Sequence, residues 1–382
     1  MKIQPAKRLN TFQEYVFSRL AKTVEEVEKE SGRKVLSFGT GTPDFPPNSQ
    51  YIQKLTEYVQ EEDAYIYPGY GAIMEFSEGL IHWYKKRFHV DLEKDELFPL
   101  HGAKDGISHF PLAFLDEGTE ILIPDPGYPG FGDPATMLGA KPVPYNLIEE
   151  NNFKIDFEEL EKLVSEKTKC IWVNFPSNPT GQIATKDDLQ KIIDFAIKYN
   201  ILVLYDNAYS EIAFNDFVPP SILEIEGAKD IAVEIGSYSK TFSFAGFRMG
   251  WIVGNKDIIA ALAKIKSQFD SGVSIPLQKL GGYVFTHFDD DWYNKMIESY
   301  KNRRDTIATY LKGLGLAFSL PKASLYIWAK IPDSFKDSEE FSMKLLREKQ
   351  ILFTPGTAFG KNGERYVRVS ICVNIDNINK YF

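Results

Sequence analysis

The chain has 382 residues, 43% hydrophobic and 25% charged, with Lys+Arg 44 against Asp+Glu 53 and a net charge of −9. That length suits two domains, the composition excludes disordered and collagen-like chains, and the acidic balance excludes a strongly basic nucleic-acid footprint over the whole chain. Apolar runs such as Ile201–Leu204 fall far short of the ~20 residues that span a bilayer, so no membrane insertion is expected. The first thirty residues hold no apolar signal core, and the two cysteines, Cys170 and Cys372, form neither a disulfide framework nor a metal-spacing motif, so a cytoplasmic protein without a metal site is expected.

Residues 14 to 32 place Val16, Leu20, Val24 and Val27 at helical spacing and end at Gly32. A short strand, Val35–Phe38, leads into the loop Gly39-Thr-Gly-Thr-Pro-Asp-Phe-Pro-Pro47. From about residue 100 to 254, continuous apolar runs (Ile121–Ile123, Cys170–Asn174, Ile201–Tyr205, Ile231–Ile235, Gly250–Val253) alternate with amphipathic stretches such as Lys186–Tyr199. Continuous rather than alternating hydrophobicity marks strands covered on both faces, hence a mostly parallel sheet flanked by helices. One long helix, about Tyr283 to Leu311, then precedes strands near Ser324–Lys330 and Tyr366–Cys372. The expected fold is α/β: a large domain around the parallel sheet and a smaller α+β domain towards the C-terminus.

Ligands in such sheets bind beyond the carboxyl ends of the strands. Four runs end in chemically capable segments: Pro124-Asp-Pro-Gly-Tyr128, Asn174-Phe-Pro-Ser-Asn-Pro-Thr-Gly181, Asp206-Asn-Ala-Tyr209 and Ser237-Tyr-Ser-Lys240. Lys240 offers an amine that is nucleophilic when deprotonated. Arg248 offers a forked phosphate donor, and the hydroxyls of Ser237 and Ser239 offer more. A lysine beside phosphate-binding groups meets the requirement for holding a phosphorylated aldehyde; an ordinary surface lysine after a strand fits the segment equally well. Asp206 ends an apolar strand and needs a cationic or hydrogen-bonding partner, which a pyridinium N–H, a metal or a helix N-terminus would each supply. Tyr209 could donate to a phenolate oxygen, and Asn178 reads either as a binding group or as turn chemistry. Gly102-Ala-Lys104 opens a helical stretch whose Ala103 and Lys104 backbone could meet a phosphate. Tyr128 offers a flat wall for a ring, or turn packing. Arg368, within Tyr-Val-Arg-Val-Ser, suits bidentate capture of a carboxylate or a half-buried salt bridge.

Together these segments resemble the pyridoxal phosphate-dependent aminotransferases of fold type I, in the class that includes aspartate aminotransferase. The resemblance is carried by Asn178-Pro-Thr-Gly181, Asp206-x-x-Tyr209 and Ser237-x-Ser-Lys240 with Arg248, and runs in order over about 85% of the chain. It implies that Lys240 forms a Schiff base with the cofactor and later moves the substrate Cα proton. By the same resemblance Asp206 pairs with the pyridine nitrogen, Asn178 and Tyr209 bind the ring oxygen, and Tyr128 stacks on the ring. Ser237, Arg248 and the backbone of Ala103 and Lys104 hold the phosphate, and Arg368 takes the substrate α-carboxylate with the Gly41 backbone and Asn178 nearby. Family members are usually homodimers, which implies that Tyr67, or Tyr65 in its place, and Ser271 reach the partner subunit's phosphate.

The implied division is a segment 1–48 packing on the small domain, a large cofactor domain 49–280 and a small domain 281–382. The implied reaction moves an amino group between an L-amino acid and a 2-oxo acid by a ping-pong course. The segment 264–275 lacks the second arginine of one aspartate-specific subgroup, and Tyr205–Phe214 with Asp270–Val273 is more similar to the LL-diaminopimelate aminotransferase branch. Glu211 or Asp270 could then read a distal amine, or be solvated loop charges. A cysteine-S-conjugate β-lyase or an amino-acid decarboxylase is the alternative on the same residues. A cofactor-sensing regulator would carry an appended DNA-binding domain, for which the sequence before residue 35 has no room.

Overall fold

The structure is a computed structural model that describes residues 3–10, 16–376 and 378–381. Its strands are β1 (Leu36–Ser37), β2 (Leu97–Leu100), β3 (Glu120–Asp125), β4 (Lys141–Asn146), β5 (Thr168–Asn174), β6 (Leu202–Asp206), β7 (Ala232–Ser237), β8 (Gly250–Gly254), β9 (Tyr326–Lys330), β10 (Ile351–Leu352), β11 (Thr354–Pro355) and β12 (Tyr366–Ser370). Seven of them form one sheet in the order β2-β8-β7-β6-β5-β3-β4. The neighbours from β4 to β7 run parallel, while β8 is antiparallel to both β7 and β2. The expected mostly parallel sheet is present, with β8 as its reversed strand.

Period-two geometry explains why the central runs are apolar throughout. On β5 and β6, Ile171, Val173, Val203 and Tyr205 enter the core on one face, and Cys170, Trp172 and Leu204 enter the core on the other. A helix such as Lys186–Tyr199, with Thr185 capping its start, supplies the cover by presenting Leu189, Ile192, Ile193 and Ala196 to the sheet. In the large sheet, the strands that the periodicity does not reveal are β2 and β4, written Leu-Phe-Pro-Leu and Lys-Pro-Val-Pro-Tyr-Asn. Both lie at the edges of the sheet, where a residue without an N–H is tolerated, so their prolines disguise them.

A second core gathers around the antiparallel trio β11-β12-β9, including Phe38, Tyr209, Tyr300, Ile327 and Val369. The N-terminal part joins this core: β1 pairs parallel with β10, and the helix Val16–Ser31 packs Leu20 and Val27 against Leu346 and Leu352. Residues 14 and 15 of the expected first helix lie outside the described residues.

The single helix expected from Tyr283 to Leu311 is instead two, Ile275–Thr286 and Asp290–Gly313. The Tyr51 hydroxyl holds the break open, donating to His287 O at 2.9 Å and accepting from Asp289 N at 2.9 Å. Asp289 caps the second helix through Trp292 N at 2.9 Å and accepts from Asn48 Nδ2 at 2.7 Å. Neither contact is visible in a local apolar period.

Replacing Asp289 with alanine removes the cap and strands Asn48, so Asp289→Ala should cost about 1–2 kcal/mol in urea unfolding. An unchanged unfolding midpoint would leave Tyr51 as the sole cause of the break.

Candidate active site

The carboxyl ends of β2, β3, β5, β6 and β7 lie on one edge of the large sheet, together with the start of the reversed β8. The chain therefore delivers Ala103, Tyr128, Asn178, Tyr209, Lys240 and Arg248 from five connections to one place. They line a cavity of about 590 Å³ that also takes in Gly41, Lys104, Asp206, Ser237 and Ser239. Arg368 enters from β12, so the smaller core closes the cavity. A larger cleft of about 920 Å³, lined by Arg87, Glu211 and Tyr293, holds none of this chemistry.

Asp206 is the last residue of β6 and is 6% exposed. Burial pushes its carboxyl up to about 6, against the opposing pull of the Ala208 N–H at 3.2 Å and the Lys240 charge. Lys240 stands in the helical turn Tyr238–Thr241, whose start Ser237 caps by accepting from Ser239 N. Its Nζ donates to Gly41 O at 2.6 Å and lies 6.0 Å above the Tyr209 ring. Asn174 positions the neighbouring turn, accepting from Asn178 N at 2.8 Å while donating to Asp206 O at 2.8 Å.

Arg368 is 2% exposed, with Nη1 donating to Asn178 Oδ1 at 2.9 Å and Nη2 to Gly39 O at 2.6 Å. Its Nε is buried without a partner among the described residues. Three aromatic faces surround the guanidinium, Tyr326 at 4.2 Å, Phe359 at 4.6 Å and Phe17 at 5.1 Å. Gly41 is obligatory here, because a Cβ on it would fall on the Tyr326 hydroxyl. Arg248 adopts a left-handed backbone at φ 56° and donates to Ala245 O at 2.9 Å. Near it the helix Ala103–Phe114 begins after Gly102 with no side-chain cap.

Tyr67 and Ser271 do not line this cavity. Tyr67 is 85% exposed and Tyr65 80%, and the two loops adjoin so closely that a Cβ on Gly272 would strike Gly69 O. Glu211 and Asp270 do not line the cavity either. Glu211 is buried and paired with Arg87 at 3.1 Å, and Asp270 pairs with Lys266 at 2.6 Å. Tyr326, Phe17, Gly39 and Asn174 contribute to the site but were not among its expected residues. Asn174 ends a strand in the Asn-x-x-x-Asn segment and was legible there; Tyr326 and Phe17 read as core apolar positions.

The donor set fits a phosphorylated cationic ring with a carboxylate-bearing substrate. Among the described residues Asp206 is a desolvated acid with no cation in hydrogen-bond contact, Arg368 has an orphaned Nε, and an uncapped helix start lies beside Arg248 and two serine hydroxyls. Among the described residues no helix is long and apolar enough to cross a membrane, and no cluster of His, Cys, Asp or Glu could hold a metal ion.

Comparison with known proteins gives the same direction. The family model described as aminotransferase class I and II matches residues 33–381. An LL-diaminopimelate aminotransferase of Halothermothrix orenii is 38% identical over 99% of this chain and 97% of its own length. The apo structure of BacF from Bacillus subtilis is 32% identical, covers 100% of this chain and 97% of its own, and superposes with a TM-score of 0.94. An aminotransferase structure from Staphylococcus aureus is 31% identical, with 98% and 96% of the two chains covered and a TM-score of 0.89.

The raised Asp206 carboxyl carries a stability consequence. An acid whose pKa rises on folding stabilises the native state fully below its unfolded value, and that advantage is lost as pH rises through about 6. In the ligand-free protein, Asp206→Asn should therefore gain about 2–3 kcal/mol over the parent in urea unfolding at about pH 8 relative to about pH 4. An equal gap at both values would mean that the carboxyl is not paying for its burial.

Proposed function

From the premise that this chain belongs to the class I and II aminotransferases, and is a pyridoxal phosphate-dependent transaminase, we propose that the cavity at the carboxyl edge of the large sheet runs the reaction on an amino acid of the diaminopimelate type. The observation that carries this reading is the meeting of Lys240, Asp206 and Arg368 in one cavity.

Pyridoxal phosphate supplies an electron-withdrawing ring that accepts the electrons of the substrate Cα–H bond. Lys240 would hold the cofactor through its amine and, once freed, would serve as the base for the substrate Cα proton. Asp206 pairs with the cationic ring nitrogen, which relieves the desolvation of its own carboxylate. Tyr209 donates to the ring oxygen; Asn178 does the same through Nδ2, since its Oδ1 is taken by Arg368. Tyr128 covers the ring face. Ser237, Arg248 and the backbone at Ala103 and Lys104 hold the phosphate. Arg368 binds the α-carboxylate beside the Gly41 backbone and fixes the Cα–H bond relative to the ring. Amino acids and 2-oxo acids are the substrates, taken in turn.

A diaminopimelate-type donor is supported by the name of the Halothermothrix orenii relative and its near-complete coverage. The absence of arginine from residues 264–275 speaks against a simple dicarboxylate clamp, and neither Glu211 nor Asp270 is free to read the distal amine, since both are held in ion pairs outside the cavity. The exposed Tyr65, Ile66, Tyr67, Met74 and Phe269 support a homodimer in which a second copy covers this surface and Tyr67 and Ser271 complete the partner subunit's phosphate site. A cytoplasmic location fits the composition. The proposed division is 1–48, a large domain from 49 and a small C-terminal domain. The second boundary fits better after Thr286 than at residue 280, because the helix Ile275–Thr286 packs Leu280, Val284 and Phe285 into the large core.

An amino-donor screen with 2-oxoglutarate, including LL-diaminopimelate, aspartate, alanine and aromatic donors, should give the highest kcat/KM for the first. Pyruvate and ammonia formed without an acceptor would favour the β-lyase reading instead. Lys240→Ala should lose turnover by about 10³-fold or more and yield no borohydride-reduced cofactor adduct; an adduct on another lysine would overturn the assignment. Arg368→Ala should raise KM for every amino acid by about 10–100-fold, and an effect confined to one substrate would make it a side-chain reader.

A further inference from the structure

We infer that Tyr326 is a positioning residue of this site: its hydroxyl donates to Tyr209, aiming the Tyr209 O–H into the cavity, while its ring supports the Arg368 guanidinium. The inference rests on the reading of Tyr209 as the donor to the cofactor's ring oxygen.

Tyr326 opens β9 in the smaller core and is 3% exposed. Its hydroxyl lies 3.1 Å from that of Tyr209, and the two rings meet edge to face at 5.7 Å. The Arg368 guanidinium lies 4.2 Å from the centre of the Tyr326 ring. The side of Gly41 where a Cβ would stand is filled by the same hydroxyl, and the Gly41 carbonyl holds Lys240. One side chain thus touches the groups assigned to the ring oxygen, the carboxylate and the lysine.

Two phenols in contact share one proton between them, so the order of donation matters. If Tyr209 donated to Tyr326, its proton would be spent and the ring oxygen would lose a donor. If Tyr326 donates, the Tyr209 oxygen is polarised and its own O–H becomes a stronger donor. Burial pushes the Tyr209 phenol above its ordinary range, so Tyr209 stays protonated and acts as a donor rather than an anion. The Tyr326 ring serves a separate purpose: with Phe359 and Phe17 it surrounds a buried guanidinium whose Nε has no hydrogen-bond partner among the described residues.

The sign of the effect follows from charge. A donor at the ring oxygen stabilises negative charge there, which makes the proton on the nitrogen joining Lys240 to the cofactor easier to lose. Weakening that donor raises the pH at which this proton leaves.

The test is a spectrophotometric pH titration of the bound cofactor's visible band in holoenzyme. Tyr326→Phe keeps the ring and should raise the midpoint by about half to one pH unit, with KM for amino acids changed less than about twofold. Tyr209→Phe should raise it further, and the double variant should match Tyr209→Phe alone, because the Tyr326 hydroxyl acts through Tyr209. Tyr326→Leu should in addition raise KM across amino acids, through loss of the face under Arg368. An unmoved midpoint in Tyr326→Phe, or shifts that add in the double variant, would overturn the inference. A Tyr209→Phe midpoint that does not move would instead overturn the reading of Tyr209, whatever Tyr326 does.

Discussion

A carboxyl group buried at the end of β6, answered by a backbone N–H and by no cation in direct contact, is the constraint around which this site is arranged. The strand that carries it is covered on both faces, so Asp206 has no route to solvent except through the cavity. Burying an unpaired carboxylate is costly, and the cost appears as the upward displacement of its pKa to about 6. A site built this way is specific for a cation at one position. In the proposed reading a positively charged ring nitrogen would relieve that cost, and the strand end would thereby favour the protonated form of a cofactor ring.

The second dependency joins the two cores. Lys240 and Asp206 belong to the parallel sheet, whereas Arg368 and Tyr326 belong to the antiparallel trio. Arg368 bridges them by donating to Asn178 on one side and to Gly39, at the end of the N-terminal strand, on the other. Arg368 and Lys240 thus line one cavity from the two different cores. The aromatic faces around the guanidinium keep it dry, and a dry guanidinium binds carboxylate more strongly than a solvated one. Phe17 adds the N-terminal helix to that surround, so three separated parts of the chain converge on one charged group.

Much of the large sheet was legible because its strands are buried on both faces and so lack polar positions. Lys186–Tyr199 was legible from end to end through its amphipathic pattern. The legible chemistry was confined to segments where several unusual residues share a turn, as in Asp206-x-x-Tyr209 or Ser237-x-Ser-Lys240. What escaped were elements whose identity depends on distant partners. Proline-rich β2 and β4 exist because an edge position accepts them. The break at residues 287–289 exists because Tyr51, far away in sequence, bonds both sides of it. Glu211 looked like a loop charge, and its burial against Arg87 depends on a helix more than a hundred positions earlier.

The sequence by itself determined the alternation of buried strands and covering helices, and which residue types stand at the strand ends, because both follow from local periodicity and turn chemistry. Only the tertiary structure decided that Arg368 meets Asn178, that Tyr326 stands on Tyr209, and that Asp206 is dry. Those are statements about desolvation and angstrom-scale contact between residues separated by 117 to 190 positions, and no local pattern encodes the packing that brings them together.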